Sequence, residues 1–196
     1  MLSLLLGASL FASDVLISAG HEGRPASCVH FPQRHCNLGA RGERAWTPVV
    51  ADAATRILRQ HGVTVARLPA DFEGLYRVRA AVFIHFDGSD PPCGSTASIG
   101  YAHKGDASAA SAWRSLYGSY WPYGFQPSNF TVGLREYYAY RQVDASDGSM
   151  VLELGEITCP VQHAWLEPRL HWEGALLAYF LSKLVGKGNV PNPGRY

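Results

Sequence analysis

Short apolar runs alternate with a helix-patterned segment in the first half of the chain. Asp14–Ser18 has the pattern of a buried strand, and Val63–Leu68 and Ala80–His85 are two further apolar runs. Between the first two runs, apolar residues repeat at helical spacing over Val49–Leu58, and Gly62 follows as a stop signal. A strand, a helix and a strand in this order predict parallel pairing with a right-handed crossover.

The other elements extend this unit into one layer of strands covered by helices. Thr47 and Pro48 predict the start of the first helix, because threonine is a good N-cap and proline suits the first helical position. Further strands are predicted at Ser98–Ala102 and Val151–Leu154, and an amphipathic helix at His171–Leu184. The pattern as a whole predicts a single α/β domain with a mostly parallel central sheet covered by helices.

The length of 196 residues suits one domain with a sizeable core. This domain is predicted over residues 14–186, followed by an irregular tail at 187–196 and preceded by an extension at 1–13. Residues 113–140 are rich in aromatic side chains, and a helix is predicted at each end of this segment, the second over Val132–Tyr140. Its rings either pack on the sheet as a cap or form the wall of a groove in which they stack on sugars.

Charge and hydropathy exclude two classes of partner. Seventeen Lys and Arg against 16 Asp and Glu leave a net charge of +1 without a basic run, so we expect no nucleic-acid binding. The longest apolar run, Met1–Ala12, is interrupted by polar residues and is too short to span a membrane. It is either a leader remnant, although the first cation is Arg24, or a plain N-terminal extension. We therefore expect a periplasmic or extracellular monomer.

Four cysteines are compatible with two disulfides, although a chain of this size needs none. The first two lie near two histidines in an arrangement that superficially resembles a metal cluster, but structural zinc sites use closer cysteine spacing. For these cysteines, a disulfide or free thiols are therefore favoured over a metal site. The residues concerned are Cys28, His30, His35, Cys36, Cys93 and Cys159.

Polar side chains stand where the predicted strands end. His21 follows the first strand, Glu43 lies in the predicted loop before the first helix, and His85 closes the third strand. Because ligands bind outside the carboxyl ends of parallel strands, we expect these three side chains at one edge of the sheet. Glu153 joins them if the strand that contains it is also parallel.

Two imidazoles and one carboxylate are typical of a catalytic zinc site with a position left for water, and a second carboxylate can transfer the proton. The alternatives are hydrogen-bonded structural histidines and, for Glu43, a solvated loop charge. Glu153 lies among Val and Leu residues, so it requires a partner or a shifted pKa. Glu156 is either its salt-bridge decoy or a rival for its role.

Four segments in order resemble motifs of one enzyme family. Ile17–Gly23 resembles D-P-G-H-G-G, and Asn37–Glu43 is similar to a G-A-x-G run that leads to a metal-binding glutamate. Val82–Asp87 resembles F-V-S-I-H-A-N, and Val151–Thr158 resembles L-V-E-T-G-F-I-S. These are motifs of the zinc-dependent N-acetylmuramoyl-L-alanine amidases of the type-3 family, and the likeness spans roughly residues 15–184.

The resemblance implies that His21, Glu43 and His85 bind Zn²⁺ and that Glu153 is the catalytic general base. It implies an α/β fold and cleavage of the amide between N-acetylmuramic acid and L-alanine in peptidoglycan, in cell-wall lysis or remodelling. The departures from the motifs leave this set intact. They lie at Ser18, Ala19, Phe86, Asp87 and Glu156.

Two other functions stay open at this point. One is a related zinc hydrolase, either a carboxypeptidase or an N-formylglutamate-type deacylase. A carboxypeptidase needs an arginine for the substrate carboxylate, for which Arg67 and Arg135 are candidates, and its ligands lie three residues apart. The wide spacing of His21 and Glu43 favours the amidase. The other is a peptidoglycan-binding module without activity, although all four functional positions are filled.

Overall fold

The computed structural model describes residues 13–25 and 36–196. Its five strands are β1 (Val15–Ala19), β2 (Val65–Leu68), β3 (Tyr76–Asp87), β4 (Ser98–Gly100) and β5 (Val143–Glu156). They form one sheet in the order β2-β1-β3-β5-β4, in which only β4 runs antiparallel to its neighbour. The predicted α/β domain with a mostly parallel sheet is confirmed.

Within the described ranges, five α-helices cover the two faces of the sheet. They are α1 (Glu43–Gln60), α2 (Ala107–Gly118), α3 (Val132–Arg135), α4 (Pro160–Leu166) and α5 (Leu170–Leu184). Helix α5 packs closely on α1 at Gly174, where a Cβ atom would lie 2.5 Å from the Cβ of Ala53. One face of the sheet packs on these two helices and on α2, and the other packs on the segment that precedes β5.

Helix α1 begins at Glu43, so the predicted start at Thr47 is wrong, as is the placement of Glu43 in a loop. Gly42 precedes the helix at φ 100°, and Pro48 lies inside it. The hydroxyl of Thr47 donates to the carbonyl of Gly20 at 2.7 Å rather than capping the helix. This long-range bond ties α1 to the end of β1, which local sequence patterns do not reveal.

The two central strands are longer than their apolar runs. Strand β3 begins at Tyr76 and β5 at Val143, and residues 76–78 of the former pair with 143–145 of the latter. Polar and apolar side chains alternate there, so the apolar runs marked only the fully buried halves. The predicted helix over Val132–Tyr140 is also wrong, because α3 ends at Arg135 and a separate 3₁₀ turn spans Tyr138–Arg141.

Residues 187–196 have no helix or strand but pack against the domain. Val190 is buried, and the indole Nε1 of Trp172 donates to the carbonyl of Gly194 at 2.9 Å. The predicted extension at 1–13 and the candidate cluster of Cys28, His30 and His35 lie almost entirely outside the described residues. Within the described ranges, no helix is long and apolar enough to cross a membrane.

A disulfide joins Cys93 to Cys159, although 66 residues separate them. It connects the loop after β3 to the N-terminus of α4. Cys36 is disulfide-bonded as well.

Glu173 of α5 is an ionisable group in the core. Its Oε1 lies 2.8 Å from the hydroxyl of Tyr117, which donates to the carbonyl of Leu154 at 2.7 Å. Its Oε2 has no hydrogen-bond partner among the described residues. Burial raises the pKa of Glu173 to about 8, even though the bond to Tyr117 lowers it. The acid is therefore neutral in the folded protein at pH 7.

Glu173 is expected to make stability fall as the pH rises. Between the unfolded pKa of about 4.5 and the folded value of about 8, only the folded protein holds this proton. The free energy of unfolding should therefore lose up to about 1.4 kcal/mol per pH unit in this window. Urea unfolding at pH 5, 6.5 and 8 should show that the free energy of unfolding depends less on pH in Glu173→Gln than in the unaltered protein. Curves parallel to those of the exposed control Glu167→Gln would contradict this assignment.

Candidate metal centre

The end of β1 and the start of α1 bring His21 and Glu43 together. His21 follows β1 in the left-handed region at φ 60°. Two glycines make room for the packed side chains. A Cβ on Gly20 would lie 2.3 Å from Cε1 of His85, and one on Gly39 would lie 2.0 Å from Oε2 of Glu43. Neither position accepts a larger residue without displacing this centre.

The structure brings His21, Glu43 and His85 together, as the sequence predicts. Oε1 of Glu43 lies 3.4 Å from Nε2 of His21 and 2.9 Å from Nδ1 of His85. The two imidazole rings are perpendicular, with centroids 4.9 Å apart. All three side chains are buried, and one ligand atom from each lies within 4.8 Å of the others.

These three side chains fit a zinc ion. Tetrahedral ligands at the usual Zn–N and Zn–O lengths lie about 3.3 Å from one another. The two distances from Glu43 Oε1 bracket this value, and the donor set of two imidazoles and one carboxylate is one that catalytic zinc sites use. Glu43 is also fixed by backbone amides, since Ala40 donates to its Oε2 at 2.9 Å and Phe86 to its Oε1 at 3.1 Å.

The protonation states match those of metal ligands. Burial raises the pKa of Glu43, but hydrogen bonds from His21 and His85 outweigh it and bring that pKa to about 2. Burial lowers the pKa of His85, and the bond to Glu43 offsets this only in part. A charged carboxylate beside a neutral imidazole is the state in which these groups bind a divalent cation.

Glu153 lies beside this centre. It is the register partner of His85 across the parallel pair β3–β5, and it lines the same cleft as both histidines. Its Oε2 is buried and has no hydrogen-bond partner among the described residues. Burial raises the pKa of Glu153 well above its usual value, and the charges of Glu43 and Asp87 raise it further. An unpaired carboxyl next to three candidate ligands is available to a reacting molecule.

The carboxylate of Glu156 is hydrogen-bonded to other groups, outside the cleft. It accepts hydrogen bonds from the backbone N–H groups of Cys93 and Ser95 and from the hydroxyls of Ser89 and Thr158, at 2.6–2.7 Å. These bonds hold the loop that follows β3. Of the two glutamates, Glu153 lines the cleft and Glu156 does not.

A cleft of about 860 Å³ opens in front of the two histidines and Glu153. Its far wall comes from the aromatic segment 113–140. The rings of this segment lie in two different places. Tyr137 and Tyr138 line the cleft, whereas Trp113, Tyr117 and Trp121 stack on one another in the core. Part of this segment therefore packs in the core, and another part lines the cleft.

Several residues of the site carry no recognisable signal in the sequence. Arg24 and Tyr138 line the cleft, and the backbone carbonyl of Asn37 contacts His21. The contact of Tyr137 with His85 spans 52 positions. The only hint was the density of aromatic residues, which did not distinguish Tyr137 from its neighbours.

No protein-family model and no curated protein matches this sequence. Solved structures do. Ami1, an N-acetylmuramyl-L-alanine amidase from Mycobacterium smegmatis, is 18% identical with a TM-score of 0.63, and the match covers 91% of this chain and 99% of that one.

Two other amidases of known structure also match this chain. The catalytic domain of CwlV from Bacillus (Paenibacillus) polymyxa is 14% identical with a TM-score of 0.60, and 88% and 98% of the two chains are covered. AmiC2 of Nostoc punctiforme is 15% identical with a TM-score of 0.56, and 87% and 93% are covered. The resemblance drawn from the four motifs is confirmed in these neighbours, and this chain has the fold of N-acetylmuramoyl-L-alanine amidases.

Proposed function

We propose that this chain is a zinc-dependent hydrolase that cleaves the amide between N-acetylmuramic acid and L-alanine in peptidoglycan. The observation that carries the proposal is the convergence of His21, Glu43 and His85 beside the unpartnered carboxyl of Glu153, within a fold that amidases of this specificity share. The fold alone supports a cell-wall amidase. The four side chains support the metal and the mechanism.

His21, Glu43 and His85 would hold the ion. A bound zinc ion supplies Lewis acidity, which lowers the pKa of a water molecule towards about 7 and polarises an amide carbonyl. Glu43 contributes the negative charge of the ligand set, and the two imidazoles are neutral ligands.

Glu153 moves the proton. In its ionised form, which the positive charge of a bound ion would favour, its carboxyl group takes a proton from water as the water oxygen attacks the amide carbonyl carbon. The C–N bond then breaks, and Glu153 returns the proton to the departing nitrogen of L-alanine. The products are the lactyl carboxylic acid on the glycan and a stem peptide with a free amine, so one carboxyl serves as base and then as acid.

The cleft supports a polymeric substrate. Its volume of about 860 Å³ suits part of a glycan strand with its peptide, and the rings of Tyr137 and Tyr138 offer surfaces on which sugars or peptide groups can pack. Peptidoglycan lies outside the cytoplasm, which implies a periplasmic or extracellular location. The disulfide between Cys93 and Cys159 supports an oxidising compartment.

The two arginines considered from the sequence for binding a substrate carboxylate do not suit that role. Arg67 makes ion pairs with Glu22 and Asp52, at 2.7 and 2.8 Å. Arg135 is exposed and does not line the cleft. Mass spectrometry of purified peptidoglycan after digestion distinguishes the two activities. Stem peptides with a free L-alanine amine support the amidase, and released terminal amino acids would show a carboxypeptidase.

Metal removal is expected to stop the reaction. Dialysis against a chelator should abolish peptide release, because Glu153 alone does not activate water sufficiently, and one equivalent of Zn²⁺ should restore it. Release is measured as free amines from peptidoglycan. Full activity in protein shown by elemental analysis to be metal-free would contradict the zinc-dependent mechanism.

A further inference from the structure

The two histidines of the candidate metal centre each use their second ring nitrogen in a contact with a neighbouring group of the protein. Nδ1 of His21 lies 2.6 Å from the carbonyl oxygen of Asn37. A proton on Nδ1, which the carbonyl of Asn37 would accept, leaves the lone pair of Nε2 facing Glu43. Nε2 of His85 lies 3.0 Å from the hydroxyl of Tyr137, which leaves Nδ1 facing the same carboxylate.

Arg24 supports the first of these contacts. Nη1 of its buried side chain donates to the carbonyl of Asn37 and lies 2.8 Å from Nδ1 of His21. Its Nε and Nη2 donate to the two carboxylate oxygens of Asp71 at 2.7 and 2.9 Å. This two-pronged pairing fixes the plane of the guanidinium, which a lysine could not reproduce.

Asp71 connects this pair to the second histidine. Its backbone N–H donates to the hydroxyl of Tyr138 at 3.0 Å. The ring of Tyr138 packs against that of Tyr137, with centroids 4.7 Å apart, and the hydroxyl of Tyr137 contacts His85. One continuous path of contacts therefore connects the groups beside His21 to those beside His85.

We propose that Tyr137 and the Arg24–Asp71 pair are positioning residues, which act through this path to fix the nitrogen that each histidine offers to the metal. The inference rests on the proposed metal-dependent function and names residues beyond it. Groups that hydrogen-bond to metal-bound imidazoles orient the ring and fix its tautomer, and their loss typically weakens metal binding about 10–100-fold.

The test is the Zn²⁺ affinity of metal-stripped protein, measured by competition with a chromophoric chelator. Tyr137→Phe removes one hydroxyl, and Asp71→Asn keeps the size of a residue that sits at φ 56°. Both are expected to weaken binding about 10–100-fold. Tyr140→Phe removes a buried hydroxyl bonded to the carbonyl of Leu134, and Asp144→Asn breaks an exposed ion pair, so these two controls should bind Zn²⁺ like the unaltered protein.

A second readout separates positioning from a general loss of stability. The absorption spectrum of the Co²⁺-loaded protein should change in Tyr137→Phe and not in Tyr140→Phe, because only the former alters the groups around a ligand. For Arg24→Lys we expect the same weakening of Zn²⁺ binding as for Asp71→Asn. This variant replaces Tyr137→Phe in the test if Tyr137→Phe does not fold. Unchanged Zn²⁺ affinity in these variants would overturn the inference alone, whereas an unaltered protein that does not bind Zn²⁺ would overturn the proposed function as well.

Discussion

Glu153→Gln is expected to lower the rate of peptide release from peptidoglycan by about 10²–10⁴-fold while Zn²⁺ binding persists. The amide keeps the size of the side chain but neither accepts the proton of the attacking water nor returns it to the leaving nitrogen. The rate is measured as free L-alanine amines at saturating substrate, and the metal content by elemental analysis of the same preparation.

Glu167→Gln is the matched control for this substitution. Glu167 is an exposed carboxylate that does not line the cleft, so its neutralisation removes one charge without touching the metal centre or the cleft. We expect its activity to resemble that of the unaltered protein. A Glu153→Gln protein as active as this control would exclude Glu153 from proton transfer.

His85→Ala is expected to lose both the metal and the activity. His85 contributes one of three candidate ligands, and its removal leaves Glu43 buried beside a single imidazole. The loss of Zn²⁺ affinity should exceed the about 10–100-fold that a lost outer hydrogen bond costs. Competition with a chelator measures it, and His163→Ala, which changes a half-buried histidine packed on Trp46, controls for the loss of an imidazole.

The two variants together separate metal binding from proton transfer. The Glu153→Gln protein is expected to bind Zn²⁺ without releasing peptide. The His85→Ala protein is expected to do neither. A His85→Ala protein that still binds one equivalent of Zn²⁺ with the original affinity would show that other residues hold the ion.

The position of the site could be predicted because parallel topology is encoded locally. The apolar run before His21 and the one that ends at His85 indicate buried parallel strands, whose carboxyl ends meet at one edge. Glu153 was recognisable as a carboxylate within an apolar strand, but its placement depended on the direction of β5, which only the structure provides.

Other features depend on long-range contacts and could not be predicted. The start of α1 was misjudged because Thr47 bonds to Gly20 of another element instead of capping its own helix. The pairing of Cys93 with Cys159 does not follow from their spacing. The Arg24–Asp71 pair joins two loops 47 positions apart, and neither residue has a distinctive neighbourhood in the sequence.

An anomalous difference map at the zinc absorption edge, from crystals of the protein grown with Zn²⁺, tests the central claim most directly. The account predicts one strong peak within about 2.2 Å of Nε2 of His21, Oε1 of Glu43 and Nδ1 of His85, with the carboxyl of Glu153 facing it from the cleft. A map with no peak between these three side chains, or with the ion bound by other residues, would contradict it.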